Sequence, residues 1–229
     1  MTDVLLAHAF FIHRDPKQLE KMRPYPPLGT LYAASQLRRL GYSVALFDAM
    51  LSAGEHEFEA LLDEHQPSIV VIYEDQFNFV NKMCLTHTRA ATAVMSEMAE
   101  LRGAHVVTAG SDATDHPEFY FDSGVQYALL GEADHSLAEL VGVLSGRDPR
   151  PLHSVEGLLT RPANGDVLAD GWHRRMPERH PDVFPFPAWD LVDVERYREV
   201  WQRTHGYFSV NMVSTRGCPF DCTWCAKPI

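Results

Sequence analysis

The chain has 229 residues and carries 31 acidic against 20 basic side chains, a formal charge of -11 at pH 7 with its 12 histidines neutral. With 45% hydrophobic and 22% charged residues it has the composition of an ordinary folded chain, which excludes disorder, collagen and coiled coil and allows one large domain or one domain plus part of another. The negative charge, unrelieved by any lysine and arginine cluster, disfavours nucleic acid as a partner, and no apolar run is long enough to span a bilayer, so a cytoplasmic protein is expected.

Val4 to Ala9 opens the chain as a buried strand, and short apolar runs return at Ser43 to Asp48, Ser68 to Tyr73, His105 to Ala109 and Gln126 to Leu130. Between them lie segments long enough for crossover helices, with apolar stripes at Leu31, Ala34, Leu37 and Leu40, at Phe58, Leu61 and Leu62, at Ala91, Val94, Met95 and Met98, and at Leu137, Leu140, Val141 and Leu144. Gly41 and Gly103 follow the first and third stripes as helix stops. Alternating strands and helices predict an α/β fold: a doubly wound, Rossmann-like or flavodoxin-like parallel sheet of five strands over residues 1–146.

From 147 to 206 the reading is a linker, with a hairpin running from Val155 to Thr160 and back through Asn164-Gly165 to Val167 and Leu168, then a helix from Leu191 to Trp201. Tyr207 to Thr215 reads as a strand leading into Cys218, Cys222 and Cys225, which open a second domain over 207–229. Three of the four cysteines fall within eight residues as CxxxCxxC, too tight for independent disulfides and suited to an iron–sulfur cluster or zinc. A closed zinc site needs a fourth ligand that nothing after Cys225 supplies, so iron–sulfur is favoured. Cys84, far upstream, reads as a small buried hydrophobe.

The sheet's ligand is narrowed by elimination. A dinucleotide fingerprint would place glycines between the first strand and helix, and Ala9 to Pro27 has none. A phosphorylation receiver would carry an acidic pair after the first strand, where Ala7-His8 stands, and a lysine after the fifth, where Gly131-Glu132 stands. In open sheets ligands bind beyond the carboxyl ends of the strands, and those segments here are rich in glycine, hydroxyls and aromatics. Gly29 opens a helix whose amides can meet a polar group, Gly110 and Gly131 allow close backbone approach, Ser111 and Thr114 offer hydroxyls, and Glu132 offers an acceptor or a cap for the following turn.

CxxxCxxC, with Trp224 before its third cysteine, resembles the signature of the radical S-adenosylmethionine (SAM) superfamily over Ser209 to Cys225. Pro26-Pro27-Leu28-Gly29, Gly110-Ser111-Asp112-Ala113-Thr114 and Gly131-Glu132 resemble the cobalamin-binding domain that precedes many radical SAM domains. The resemblance implies a 4Fe-4S cluster on Cys218, Cys222 and Cys225, SAM on the open iron with Trp224 against its adenine, and cobalamin contacts from Pro27, Leu28, Gly29, Phe77, Gly110, Ser111, Thr114, Gly131 and Glu132. Glu74 to Asn81, with Phe77 and Phe79, would pass over the corrin ring and set the polarity of the face below cobalt. The DxHxxG motif of other cobalamin proteins is absent, so a base-off cobalamin without a histidine from the protein is implied.

The same resemblance implies radical methylation or rearrangement of a small molecule, an electron donor such as flavodoxin or ferredoxin, and a partial (β/α) barrel of which this chain holds only the start, so that it is expected to be a truncated copy. Two alternatives remain open: a stand-alone corrinoid carrier or sensor, and an interaction module with a zinc-stabilised tail.

Overall fold

A computed structural model of the chain describes residues 2–78, 80, 83–161 and 174–216. Cys218, Cys222, Trp224 and Cys225, with Phe79 and the expected return arm of the hairpin, lie outside the described residues.

The strands are β1 (Val4–Ala7), β2 (Val44–Phe47), β3 (Ile69–Tyr73), β4 (His105–Ala109), β5 (Tyr127–Leu129) and β6 (Leu158–Thr160). The helices are α1 (Pro16–Lys21), α2 (Leu28–Arg39), α3 (Glu55–His65), α4 (Leu85–Leu101), α5 (Ser111–Asp115), α6 (Pro117–Asp122), α7 (Ala133–Leu144) and α8 (Val194–His205). All strands join one sheet in the order β2-β1-β3-β4-β5-β6. The first five are parallel, in the flavodoxin-like order whose direction reverses between β1 and β3.

Alternation along the strands builds two cores. Val4 and Leu6 of β1, with Ile69, Val71 and Tyr73 of β3, face Ala34 and Leu37 of α2 and Leu137, Leu140 and Val141 of α7. Leu5 and Ala7, with Val70 and Ile72, face Phe58 and Leu62 of α3 and Met95 of α4. Because both faces of β1 and β3 are covered, every residue in them is buried and their sequences read as unbroken apolar runs. Gly41 at φ +82° and Gly103 at φ +76° turn the chain after α2 and α4, as the sequence implies.

Two expectations are corrected. The sheet has six strands and is mixed: Leu158–Thr160, read as one arm of a separate hairpin, pairs antiparallel with β5 through Leu129↔Leu158, Ala128↔Leu159 and Tyr127↔Thr160. This pairing satisfies the backbone groups that β5 would otherwise expose as an edge. The second correction concerns Tyr207 to Thr215, which forms no strand among the described residues. Its period-two pattern is that of extended chain, and among the described residues the stretch is tied by a side chain, Asn211 donating to the Pro26 carbonyl, rather than by strand pairing. The helix read over Leu191 to Trp201 is present as α8, shifted by about one turn, with Asp193 accepting the Arg196 amide at its start and Gly206 at φ +78° ending it.

Candidate ligand crevice at the carboxyl edge of the sheet

The reversal between β1 and β3 opens a crevice beyond their carboxyl ends, and the segments following β3, β4 and β5 line its rim. Pro26 and Pro27 bias the entry to α2 toward extended backbone, and the Pro27 carbonyl accepts the Leu31 amide, so the helix starts at Leu28. No side chain from its own first turn caps α2. Asp75, just after β3, does so from outside: its Oδ1 accepts the Gly29 amide at 2.9 Å and the Phe77 amide at 3.1 Å. A Cβ on Gly29 would stand 3.1 Å from that oxygen, so glycine here serves the docking of α2 onto the β3 loop.

Burial raises the Asp75 carboxyl above its ordinary range even though these two amides favour the ionised form. Its second oxygen, Oδ2, has no hydrogen-bond partner among the described residues, and neither has Nδ1 of His8 at the end of β1. Both residues are about 1% exposed and sit on neighbouring strands at the reversal point. The other ring nitrogen of His8 lies 2.9 Å from Asp48 Oδ1, and Asp48 Oδ2 accepts the Tyr197 hydroxyl at 2.7 Å, which joins β1, the end of β2 and α8.

Gly110 has φ +152°, and a Cβ there would meet Oε2 of Glu74 at 2.5 Å, so the position needs glycine for conformation and for space. Thr114 donates its hydroxyl to the Gly110 carbonyl at 2.7 Å and accepts the Gly131 amide at 3.1 Å, stitching the β4 loop to the β5 loop. Asp112 is held by both Nε and Nη2 of Arg89 at 2.6 Å and by the Tyr120 hydroxyl at 2.8 Å. Burial opposes its ionisation, but the Arg89 and Tyr120 hydrogen bonds outweigh it and hold the carboxyl below the usual range. Tyr120 also donates to Glu74 at 3.3 Å, so β3, β4, α5 and α6 share one polar network beneath the crevice. Ser111 is half-buried, and its hydroxyl makes no hydrogen bond among the described residues.

Gly131, at φ +80°, accommodates a returning chain. A Cβ would fall on the Arg175 carbonyl oxygen, Arg175 donates its amide to Leu130 and accepts the Glu132 amide, and the two residues form an isolated parallel bridge. Glu132 Oε2 accepts the Glu178 amide, and Oε1 accepts Nη1 of Arg216 at 2.5 Å. The same Nη1 lies 2.8 Å from Asp134 Oδ2. The Arg216 guanidinium stands 3.9 Å from the ring centre of Phe184, 5.2 Å from Tyr32 and 5.3 Å from Phe77. Burial works against its charge, yet Asp134 and Glu132 prevail and raise its pKa above the ordinary arginine value.

The chain reaches Arg216 across the rim. The indole of Trp201 donates to the Pro24 carbonyl at 2.7 Å and packs on Tyr25 and Tyr207, and Asn211 Nδ2 donates to the Pro26 carbonyl at 3.2 Å. This lead-in runs from the loop ahead of α2 to the start of α7. Beside it a cavity of about 260 Å³ is lined by Tyr32, Phe184, Phe186, Val213, Ser214 and Arg216 among others.

Of the cobalamin contacts expected from sequence, Gly29 and Phe77 meet at Asp75, Gly110 and Gly131 meet at Thr114, and Phe77 and Glu132 meet at Arg216. Leu28 is buried in the first turn of α2. Sequence reasoning missed Tyr32, Asp134 and Arg216, and named Asp112 and Asp75 only within Gly110 to Thr114 and Glu74 to Asn81, without a role of their own. The acid pair Glu74-Asp75 directly after an apolar strand was a usable signal, and so was an arginine two residues ahead of CxxxCxxC in an acidic chain. Cys84 is buried, donates its thiol to Asp15 Oδ2 at 2.8 Å and is pushed up by burial to about 12, which keeps it protonated and unreactive. Among the described residues no group of three or more histidine, cysteine, aspartate or glutamate side chains is placed to hold a metal, and no helix is long and apolar enough to cross a membrane.

The crevice offers half-buried Gln76, Ser111 and Glu132 for hydrogen bonds, Phe77 and Tyr32 as apolar surface, and two orphaned buried polar atoms at its base. A family model described as "B12 binding domain" matches residues 23–141, which hold every one of those groups except His8. An "uncharacterized methyltransferase" of Pyrococcus horikoshii is 27% identical over 217 residues, covering 89% of this chain and 41% of its own length. The hopanoid C-3 methylase of Methylococcus capsulatus is 24% identical over 219 residues, covering 95% and 39%. The radical SAM methyltransferase TsrM from Kitasatospora setae, solved with cobalamin and a [4Fe-4S] cluster bound, matches in fold with a TM-score of 0.55 at 18% identity, over 76% of this chain and 30% of that one. The chain therefore spans about 40% of the length of the curated relatives it matches.

Proposed function

Because the chain belongs to the B12-binding domain family, we propose that it holds cobalamin in the crevice beyond β1, β3, β4 and β5 and acts beside a SAM-binding 4Fe-4S cluster on Cys218, Cys222 and Cys225, in radical methylation or rearrangement of a small molecule. The observation that carries this reading is the convergence at one rim of the segments after β3, β4 and β5 with a lead-in whose last described residue, Arg216, precedes Cys218 by two.

In this reading the chain's own residues bind and orient. Ser111, Gln76 and Glu132 would hydrogen-bond to cobalamin's peripheral amides, Phe77 and Tyr32 would give it apolar contact and exclude water, and the network of Glu74, Arg89, Asp112 and Tyr120 keeps the Gly110 loop in place. Cobalamin, when bound and charged with a methyl group taken from SAM, would carry that group for transfer, chemistry that no side chain provides. Trp224 would lie against the SAM adenine, and electrons would come from a flavodoxin or ferredoxin type donor.

Anaerobic reconstitution of the chain with iron, sulfide and hydroxocobalamin tests the proposal. The expected result is one cobalt and about four iron atoms per chain. The triple change Cys218→Ala, Cys222→Ala, Cys225→Ala should lose the iron and keep the cobalt. Corrinoid without iron would favour a carrier or sensor, zinc in place of iron an interaction module, and absence of both metals would overturn the assignment.

A further inference from the structure

We infer that Arg216 is a positioning residue that couples occupancy of the cobalamin crevice to the placement of the chain entering the cysteine motif. This deepens the reading above and rests on it.

Arg216 is the point at which four distant parts of the molecule meet. Its cation is shared by Glu132 and Asp134 at the β5–α7 junction, 84 and 82 residues away in sequence, and lies over Tyr32 of α2, Phe77 after β3 and Phe184 of the segment returning to α8. The side chain is only 5% exposed. Three of these partners, Tyr32, Phe77 and Glu132, are residues assigned to the cobalamin crevice. A shift of any of them on ligand binding therefore changes the guanidinium's surroundings, and ordering of the guanidinium in turn constrains all three.

The arrangement also resists being undone. No other ion pair among the described residues reaches Glu132 or Asp134, so withdrawing Arg216 leaves two carboxylates, 11% and 5% exposed, beside each other without a counter-ion. Two peptide links separate Arg216 from Cys218, so while this clamp holds, the covalent chain tethers the start of the motif to the crevice wall. Upstream, Trp201 and Asn211 fasten the same lead-in to the loop before α2, which leaves Arg216 as its downstream anchor. Binding energy at the crevice is then shared with the order of residues 207–216, and by linkage the order of that segment contributes to affinity at the crevice.

The test uses the full chain as wild type, Arg216→Lys, Arg216→Ala and Asp134→Asn. It reads hydroxocobalamin affinity by absorbance and amide hydrogen exchange of residues 207–215 with and without hydroxocobalamin. In the wild type, hydroxocobalamin should slow exchange of this segment. Arg216→Ala should abolish the slowing and weaken affinity by a matching factor, on the order of 5- to 150-fold for a coupling of ordinary size. Arg216→Lys, which keeps the charge but loses the planar fork and the stacking, should restore only part of both. Asp134→Asn, which leaves Arg216, Glu132 and the aromatic stack in place, carries the test should Arg216→Ala not fold, and should fall between wild type and alanine.

A purely structural arginine would lower Tm in Arg216→Ala while leaving the hydroxocobalamin-dependent slowing and the affinity unchanged, and that result overturns the inference. Failure of the wild type to bind hydroxocobalamin at all overturns the functional reading and the coupling with it.

Discussion

Asp75 and Asp112 stand at the ends of adjacent strands and respond to pH in opposite senses. Asp75 has a folded-state pKa raised by burial, so the stability it contributes is complete below the unfolded value, about 4, and is lost as pH rises through the folded value. At neutral pH it is a cost. Asp75→Asn keeps an acceptor for the Gly29 and Phe77 amides and removes that cost, so the variant should melt a few degrees above wild type at pH 7, with the gap closing at about pH 4. Asp112 has a depressed folded pKa, so its contribution is complete above the unfolded value and lost as pH falls through the folded one. Asp112→Asn should cost roughly 1.5–3 kcal/mol at pH 7, the worth of hydrogen bonds to a charged group, and progressively less in acid. Thermal unfolding of both variants across this range checks the two signs together.

At the scale of elements, the loops after β4 and β5 depend on glycines whose missing side chains are replaced by other parts of the protein. Gly110→Ala would drive a methyl into Glu74, and Gly131→Ala would drive one into the Arg175 backbone. Each also forces an L-residue into positive φ, so each should lower stability by about 2–4 kcal/mol. Gly131→Ala should in addition speed amide exchange at Arg175, whose hydrogen bond to Leu130 closes the bridge. These positions were legible in the sequence as places that exclude a side chain. What fills the space was not, because Glu74 and Arg175 arrive from 36 and 44 residues away. The strands were legible for a related reason: burial on both faces gives β1 and β3 continuous apolar runs that a helix of their length would not need. Three residues of β6, covered on one side only, carry no such pattern.

Across the whole molecule, the connection from α8 to the cysteine motif was the least readable part. Alternating residues at Tyr207 to Thr215 suggest a strand, but alternation describes an extended backbone and does not reveal whether it is paired. The contacts that hold this stretch run to Pro24, Pro26, Glu132 and Asp134, and proximity of that kind is set by the closed fold rather than by local pattern.

Trp201 gives the protein a light-emitting gauge of its own assembly. Its indole is 1% exposed, hydrogen-bonded to Pro24 and enclosed by Tyr25, His205 and Tyr207, so its emission should be blue-shifted while the lead-in is docked. Corrinoids absorb where indoles emit, and a corrinoid in the crevice would drain that excitation by dipolar energy transfer. With Trp172, Trp189 and Trp224 replaced by phenylalanine so that Trp201 alone emits, dimming without a change in colour would signal ligand arrival, and a red shift would signal undocking of the chain that leads to the cysteines.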